Sequence, residues 1–463
     1  MSAVTSFLGA VFWGVVLLSI LVFVHEAGHF LSARAFGMRV TEFFLGMPCR
    51  LKLSHKSASR GTEIGVTPVL LGGYTRICGM EGQVGDHAAT IVGELARRGR
   101  ARVSELAEAA GCGEDEALST LAVLADWATV EPYFDPDLGE RPNQKDWPEQ
   151  FQTVARDARL LTAFDAGHDF SLEGSTRAGE PHALPEGGAE ALLANERSRT
   201  YQGKGFLARF VTLLAGPAVN IVLGLVLIAG VLSIGGVSVV RDVNVVGSVQ
   251  AGSLAERVGI SAGDTITAVD GTEVSTWQGL GSAVRDAMAA GEPFEVAFEH
   301  EGASQTVTCD PADAGGSELF GINAPTELYH PGLGASLGAA WNYVRATATF
   351  VTQLLSPSTA VQTVSQSSSI VGISVMASEA ASSGPSDFLY LMAAISLSLG
   401  FMNLIPIPPL DGGKILIELV QLVSRRRVPE RIQVGISYVG LGLFMALFIF
   451  VLRQDLIRFV MGG

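Results

Sequence analysis

Four runs of apolar residues, each about as long as a bilayer core is thick, dominate this chain of 463 residues. They extend from about Ser6 to Val24, weakening on to Phe36, from Phe206 to Val237, from Phe388 to Leu410 and from Ile432 to Leu452. About 20 apolar residues in a helix cross the hydrocarbon layer, where only helices and closed barrels satisfy their own backbone. The expected fold class is therefore a polytopic α-helical membrane protein with about four transmembrane helices. A mean hydropathy of +0.36 with only 17% charged residues agrees. A further stretch, 335–355, is apolar but carries Arg345 at its centre.

Charge sets the expected orientation. Arg34, Arg39, Arg50, Lys52, Lys56 and Arg60 follow the first run, and Arg425, Arg426, Arg427 and Arg431 lie between the last two. Basic loops stay in the cytosol, so the N-terminus is expected outside and both basic stretches inside. No Lys or Arg precedes the first run, which is also too long for the apolar part of a cleaved leader. A formal net charge of −15 argues against a general nucleic-acid binder. Cys49, Cys78, Cys112 and Cys309 form no C-x-x-C pair, so neither a disulfide framework nor a cysteine metal site is expected.

The chemistry is concentrated at the end of the first run, in His25-Glu26-Ala27-Gly28-His29. On a helix, residues i and i+4 share a face, so both imidazoles can close on one metal ion, with Glu26 as the base that takes a proton from the attacking water. Zinc is the expected ion; it acts as a Lewis acid and brings the pKa of water towards neutrality. Two His and a Glu inside a membrane segment are costly and are functional by default. A third ligand is required. The candidate is Asp411, which ends the third run in Asn403-Leu404-Ile405-Pro406-Ile407-Pro408-Pro409-Leu410-Asp411-Gly412-Gly413. On composition alone the competing reading of Asp411 is a solvated cap on a Pro/Gly turn. Topology discriminates: with four crossings, span three runs inward and brings Asp411 to the depth of the histidines, whereas a fifth crossing at 335–355 would carry it to the outer face.

Between these runs the chain divides into polar parts. Residues 39–83 alternate apolar and polar groups around Gly72-Gly73-Tyr74 and read as short strands and turns. Residues 84–200 form an acidic insertion with helices expected at 88–98, 102–110 and 114–129 and a linker thereafter, rich in Pro, Gly, Asp and Glu. Leu106, Ala110, Leu118, Leu121 and Leu124 recur at helical spacing and give it one apolar face. Residues 240–325 read as a polar domain of strands with one helix.

Together these motifs resemble the site-2 protease family, in the branch of bacterial regulated intramembrane proteases with a PDZ domain. H-E-x-x-H is matched by His25, Glu26 and His29, and N-x-x-P-x-P-x-L-D-G-G by Asn403, Pro406, Pro408, Leu410, Asp411, Gly412 and Gly413. Gly72-Gly73-Tyr74 resembles the G-G-Y of the family's membrane-reentrant β-hairpin, Ala215-Gly216-Pro217 with Asn220 the A-G-P-x-x-N of its second span, and 369–373 the stretch before span three. Residues 262–277 fit the family's PDZ pattern.

The resemblance implies Zn2+ held by His25, His29 and Asp411, with Glu26 as general base. It also implies that Asn403 holds the substrate backbone near the metal. Gly72, Gly73 and Tyr74 are candidate substrate-binding residues, by strand addition to an unwound substrate, with an ordinary turn as the alternative. The implied reaction is cleavage of transmembrane segments of membrane-anchored proteins already trimmed outside, typically anti-sigma factors and remnant signal peptides. The segments expected are 1–38, first span; 39–83, membrane-reentrant β region; 84–200, cytosolic insertion resembling a winged helix; 206–237, second span; 240–325, extracytoplasmic PDZ domain; 330–385, membrane-associated helix and linker; 388–424, third span; and 432–453, fourth span. Expected partners are the bilayer, membrane-anchored substrates, and peptides or proteins at the PDZ domain and the insertion. Nucleic acid is not expected. The location expected is the cell membrane, with both termini extracytoplasmic. A membrane protein using the same histidines for metal transport or structure, and an adaptor with a decayed core, are the competing readings.

Overall fold

A computed structural model describes residues 3–460, apart from 71, 143, 315–319, 357, 366, 367 and 427. Arg427, one of the basic residues expected in the cytosol, thus lies outside the described residues. The chain forms two compact units, one of residues 1–228 with 339–463 and one of residues 229–338.

In the first unit, the first apolar run becomes α1 (Ala3–Ala35). Four strands follow: β1 (Val40–Leu45), β2 (Leu53–Lys56), β3 (Glu63–Val66) and β4 (Gly73–Ile77). They form one sheet in the order β2-β3-β1-β4, with β1 parallel to β3 and antiparallel to β4. The expected β-hairpin is therefore a four-stranded sheet with β4 on its edge. The β2–β3 excursion inserts a parallel partner that local alternation cannot reveal, because alternation fixes faces and not neighbours.

The insertion begins with α2 (Ala88–Arg98), β5 (Arg100–Arg102), α3 (Val103–Ala110) and α4 (Glu114–Asp126). Local signals set these ends. Gly99 leaves α2 at φ 76° with its N–H bonded to Leu95 O, and Gly111 closes α3 in the left-handed region, where glycine carries no Cβ penalty. The remainder corrects the linker expectation. It contains β6 (Val130–Tyr133), β7 (Gln150–Thr153) and α5 (Gly188–Ser198). Strands order as β5-β7-β6, and Phe151 and Leu192 enter one core with Ile91, Leu95, Leu106, Leu121, Leu124 and Trp127.

Charged residues of this segment are paired and buried with Arg39. Arg39 donates to Asp165 at 2.8 and 2.6 Å and to Glu196 at 2.6 Å. Arg156 donates to Glu196 at 2.8 Å, and Arg199 lies 3.2 Å from Asp165. Glu196 has no exposed surface and Arg39 is 1% exposed. Since Arg39 stands between α1 and β1, this network fastens the insertion to the membrane core.

The second apolar run forms α6 (Phe206–Gly230), extended by a π-helical turn to Gly235. The second unit then contains β8 (Val237–Val240), β9 (Ser248–Val249), α7 (Leu254–Arg257), β10 (Thr265–Val269), β11 (Thr272–Glu273), α8 (Trp277–Ala290), β12 (Phe294–His300), β13 (Ala303–Cys309), β14 (Ile322–Asn323) and β15 (Thr326–Tyr329). Its main sheet is ordered β11-β10-β12-β13. Ile266, Leu280, Val296 and Phe298 lie in its core.

After α9 (Leu333–Leu354) and α10 (Ala360–Ser365) comes α11 (Ile370–Ser383). This part was expected to be partly a linker, but α11 packs along α1. Small residues permit the approach: a Cβ on Gly9 would stand 3.2 Å from Ser378 Oγ, and one on Gly14 would collide with Ser374. Within the third run, α12 (Pro385–Asn403) stops at Asn403, residues 404–410 form a non-helical loop, and α13 (Asp411–Ser424) begins at Asp411. Pro406, Pro408 and Pro409 supply no N–H for a helix. The last helix is α14 (Glu430–Val460). By length and hydropathy four helices can cross a membrane: Ser6–Ala35, Phe206–Gly235, Pro385–Asn403 and Arg431–Asp455; α9 is not among them.

Burial alone would raise the carboxyls of Glu196 and Asp165, but the guanidinium groups of Arg156 and Arg39 on the first, and of Arg39 on the second, reverse this and hold both below their ordinary values of 4.5 and 3.8. Such groups stabilise the fold fully above their ordinary pKa and lose that contribution as pH falls towards the depressed one. Unfolding of the purified protein should thus be insensitive to these groups above about pH 5 and eased below it. Arg39→Met, which leaves two buried carboxylates without their shared partner, should cost about 3–5 kcal/mol. An unchanged thermal midpoint would show that the network does not fasten the insertion.

Candidate metal centre

His25 and His29 lie one turn apart on α1 and both are buried. Asp411 reaches them from the first turn of α13. Its Oδ2 lies 3.1 Å from His25 Nε2 and 3.3 Å from His29 Nε2, and the two Nε2 atoms are 3.3 Å apart. These are the described groups of three or more His, Cys, Asp or Glu side chains that could hold a metal ion. A tetrahedral zinc with bonds of about 2.0 Å has ligand-to-ligand edges of about 3.3 Å. The three atoms therefore fit one face of such an ion, with the fourth position open.

Both imidazoles are oriented from behind by α6. His29 Nδ1 lies 2.8 Å from Thr212 O. A carbonyl only accepts, so Nδ1 carries the proton and Nε2 presents its lone pair to the metal position. Asn220 lies 3.4 Å from His25 Nδ1 through its Nδ2, while its Oδ1 is buried without a partner. A half-turn of the amide, whose two ends are an assignment, directs Oδ1 to accept from His25 Nδ1 and gives His25 the same tautomer. Asn220 belonged to a motif in the sequence without a role, and Thr212 was not singled out, because a backbone carbonyl leaves no signature in residue type.

Two glycines bring α6 this close. A Cβ on Gly28 would stand 2.6 Å from Ala215 O, and one on Gly216 would collide with the His29 ring. The non-helical loop is held equally tightly, since a Cβ on Gly412 would strike Leu404 O and Ile405 O, and one on Gly413 would strike Pro408. These two glycines let the chain fold back over the start of α13 and bring Asp411 to the histidines.

Glu26 is half-buried beside the edge strand β4. A Cβ on Gly73 would stand 3.2 Å from Glu26 Cγ, and Thr75 Oγ1 donates to Glu26 O at 3.2 Å. Gly72 accepts a backbone hydrogen bond from Gly46 at 2.8 Å, and Tyr74 stacks on Phe44 at 5.3 Å. Sequence-predicted residues from β4 and α1 thus meet. Asn403 ends α12, half-buried, at the start of the loop leading to Asp411.

Residues 13–447 match the profile of peptidase family M50. The chain belongs to this family. A protein of Lactococcus lactis is 25% identical over 452 residues, covering 96% of this chain and 97% of its own length. One from Streptococcus pyogenes is 26% identical over 454 residues, covering 96% and 98%. One from Clostridium acetobutylicum is 30% identical over 282 residues, covering 59% and 81%. All three are named as candidate zinc metalloproteases. The chain is a multi-pass membrane zinc metallopeptidase.

Gly216→Ala tests the closeness of α6. Displacing His29 should weaken zinc retention by roughly 10–100-fold, read by chelator competition on the purified peptidase. Unaltered retention would show that α6 is free to move away without disturbing the ligands.

Proposed function

We propose that this peptidase hydrolyses peptide bonds in transmembrane segments of membrane proteins already trimmed outside the cell, of the anti-sigma factor or remnant signal peptide type, in regulated intramembrane proteolysis. The observation that carries this reading is the triangle of His25, His29 and Asp411, with edges of 3.1–3.3 Å, on apolar helices long enough to cross a bilayer. These three residues hold zinc, which supplies Lewis acidity to the attacked carbonyl and to water. Glu26 takes the proton from the attacking water and passes it to the leaving amine.

The substrate must present an extended backbone, because helical hydrogen bonds bury the scissile peptide. The free edge of β4 beside Glu26 supports strand addition. Gly72, Gly73 and Tyr74 would pair with the unwound segment, and Asn403 would bind its backbone. Residues 240–325 act as an extracytoplasmic PDZ domain that admits substrates lacking a large outer domain or binds their new ends. The insertion follows the helix-strand-helix-helix-strand-strand order of a winged helix. The exposed first turn of α4 carries Glu114, Asp115 and Glu116, which phosphate would repel, so the insertion contacts protein rather than nucleic acid.

Glu26→Gln removes the base and keeps the ligands. It should retain zinc and lose at least ~10²-fold in cleavage of a model transmembrane substrate in detergent; normal turnover by the zinc-loaded variant would refute the assignment. Orientation has a separate test in a background lacking the four native cysteines. Ser171→Cys in the insertion should react with an impermeant thiol reagent only after permeabilisation, whereas Thr306→Cys in β13 should react on intact cells. Reaction of both from the same side would exclude the four-crossing arrangement.

A further inference from the structure

Asp411 begins a helix that follows a loop without regular structure, so something must hold α13 in place for its carboxylate to stay within bonding range of two imidazoles. Asp411 and Glu418 are α13 side chains with polar contacts to distant parts of the fold. They stand seven residues apart, two turns along one face. Glu418 is 7% exposed. Its Oε1 accepts from the Tyr201 hydroxyl at 3.1 Å, and its Oε2 lies 3.1 Å from Arg209 Nη2.

Arg209 stands at the start of α6, three residues before Thr212, and Gly216 and Asn220 follow on the same stripe. That stripe already orients both histidines, through the Thr212 carbonyl and the Asn220 amide. One helix thus touches all three ligands: two through their imidazoles, and the third through the helix that bears it. Tyr201 adds a second tie. It is 6% exposed, and its N–H donates to Cys78 O at 2.8 Å, one residue beyond β4. It also lies directly after the insertion. Glu418 and Tyr201, together with Pro408 and Pro409 from the loop before Asp411, border a cavity of about 500 Å³. Without the hydrogen bond from Tyr201 and the ion pair with Arg209, α13 would have room to shift on that side.

We propose that Glu418 is a positioning residue for the metal centre. It locks α13 to α6 through Arg209 and to the exit of the insertion through Tyr201, and so fixes Asp411 relative to His25 and His29. This rests on the metal-site reading above. A consequence is that the seat of the insertion bears on metal geometry, since Arg199, in the Arg39 network, and Tyr201 stand two positions apart.

The test uses the full-length protein in detergent and reads metal binding rather than cleavage. Glu418→Ala should weaken zinc retention roughly 10–100-fold in chelator competition, with a changed visible spectrum after cobalt substitution. Glu418→Gln, which still accepts from Tyr201, should recover part of that loss. Tyr201→Phe, which keeps the ring and removes the hydroxyl, should weaken retention in the same direction. Should Glu418→Ala fail to fold, the two conservative variants decide. Zinc retention and cobalt spectra unchanged in both would overturn the proposal, even if cleavage fell. An unaltered protein that binds no zinc would instead overturn the metal-site reading and this inference with it.

Discussion

The meeting of two imidazoles and one carboxylate inside an apolar helical bundle is the constraint from which most of the other features follow. Three polar groups buried together are unfavourable unless they are mutually bonded or bind an ion. His25 and His29 come together at no structural cost, since a single helical turn supplies their spacing. Asp411 comes from the far end of the chain, 386 residues beyond His25. To deliver it, α12 must end at Asn403, three prolines must carry the chain through a non-helical loop, and Gly412 and Gly413 must admit that loop against the new helix. The break after α12 is what brings a carboxylate back to the histidines; Ile405 and Pro408 of the loop are buried, while Pro406 and Pro409 are exposed.

The second helix acts as the frame for the site. It contributes no ligand, yet Thr212, Gly216 and Asn220 lie on the stripe facing the histidines, and Ser396 of α12 donates to Asn220 O at 2.8 Å from the other side. Close backbone approach at Gly28 and Gly216 replaces the apolar driving force that a membrane interior does not supply between helices. On the opposite side of α1, the strand β4 brings Gly73 against Glu26. The two imidazoles and Glu26 thus lie between one helix, α6, and one edge strand, β4.

What was legible in the sequence divides along a physical line. Short-range patterns could be read directly: the i, i+4 histidines, the apolar runs, and α2, α3 and α4, whose ends are marked by Gly99, Gly111 and the acidic first turn at Glu114. Residues 335–355, expected to lie on the membrane or against protein, correspond to α9, which is not among the described helices long and apolar enough to cross. Asp411 was reached through topology and the order of motifs rather than local pattern. What escaped were relations between distant segments. The Thr212 carbonyl has no residue signature. The parallel pairing of β1 with β3 cannot be inferred from alternation. The segment after Val130 reads as a solvated linker because composition reports that Arg156, Asp165 and Glu196 are charged and not that Arg39, from outside the segment, pairs with two of them. A charge run is solvated only if its partners are water.

X-ray absorption at the zinc edge of the purified protein tests the central claim most directly, because it reads the ligand set without requiring a substrate. The account predicts one zinc per chain with two imidazole nitrogens and oxygen ligands at about 2.0 Å, and a loss of zinc in Asp411→Ala. Sulfur at about 2.3 Å, or an unchanged spectrum at full zinc occupancy in Asp411→Ala, would contradict it.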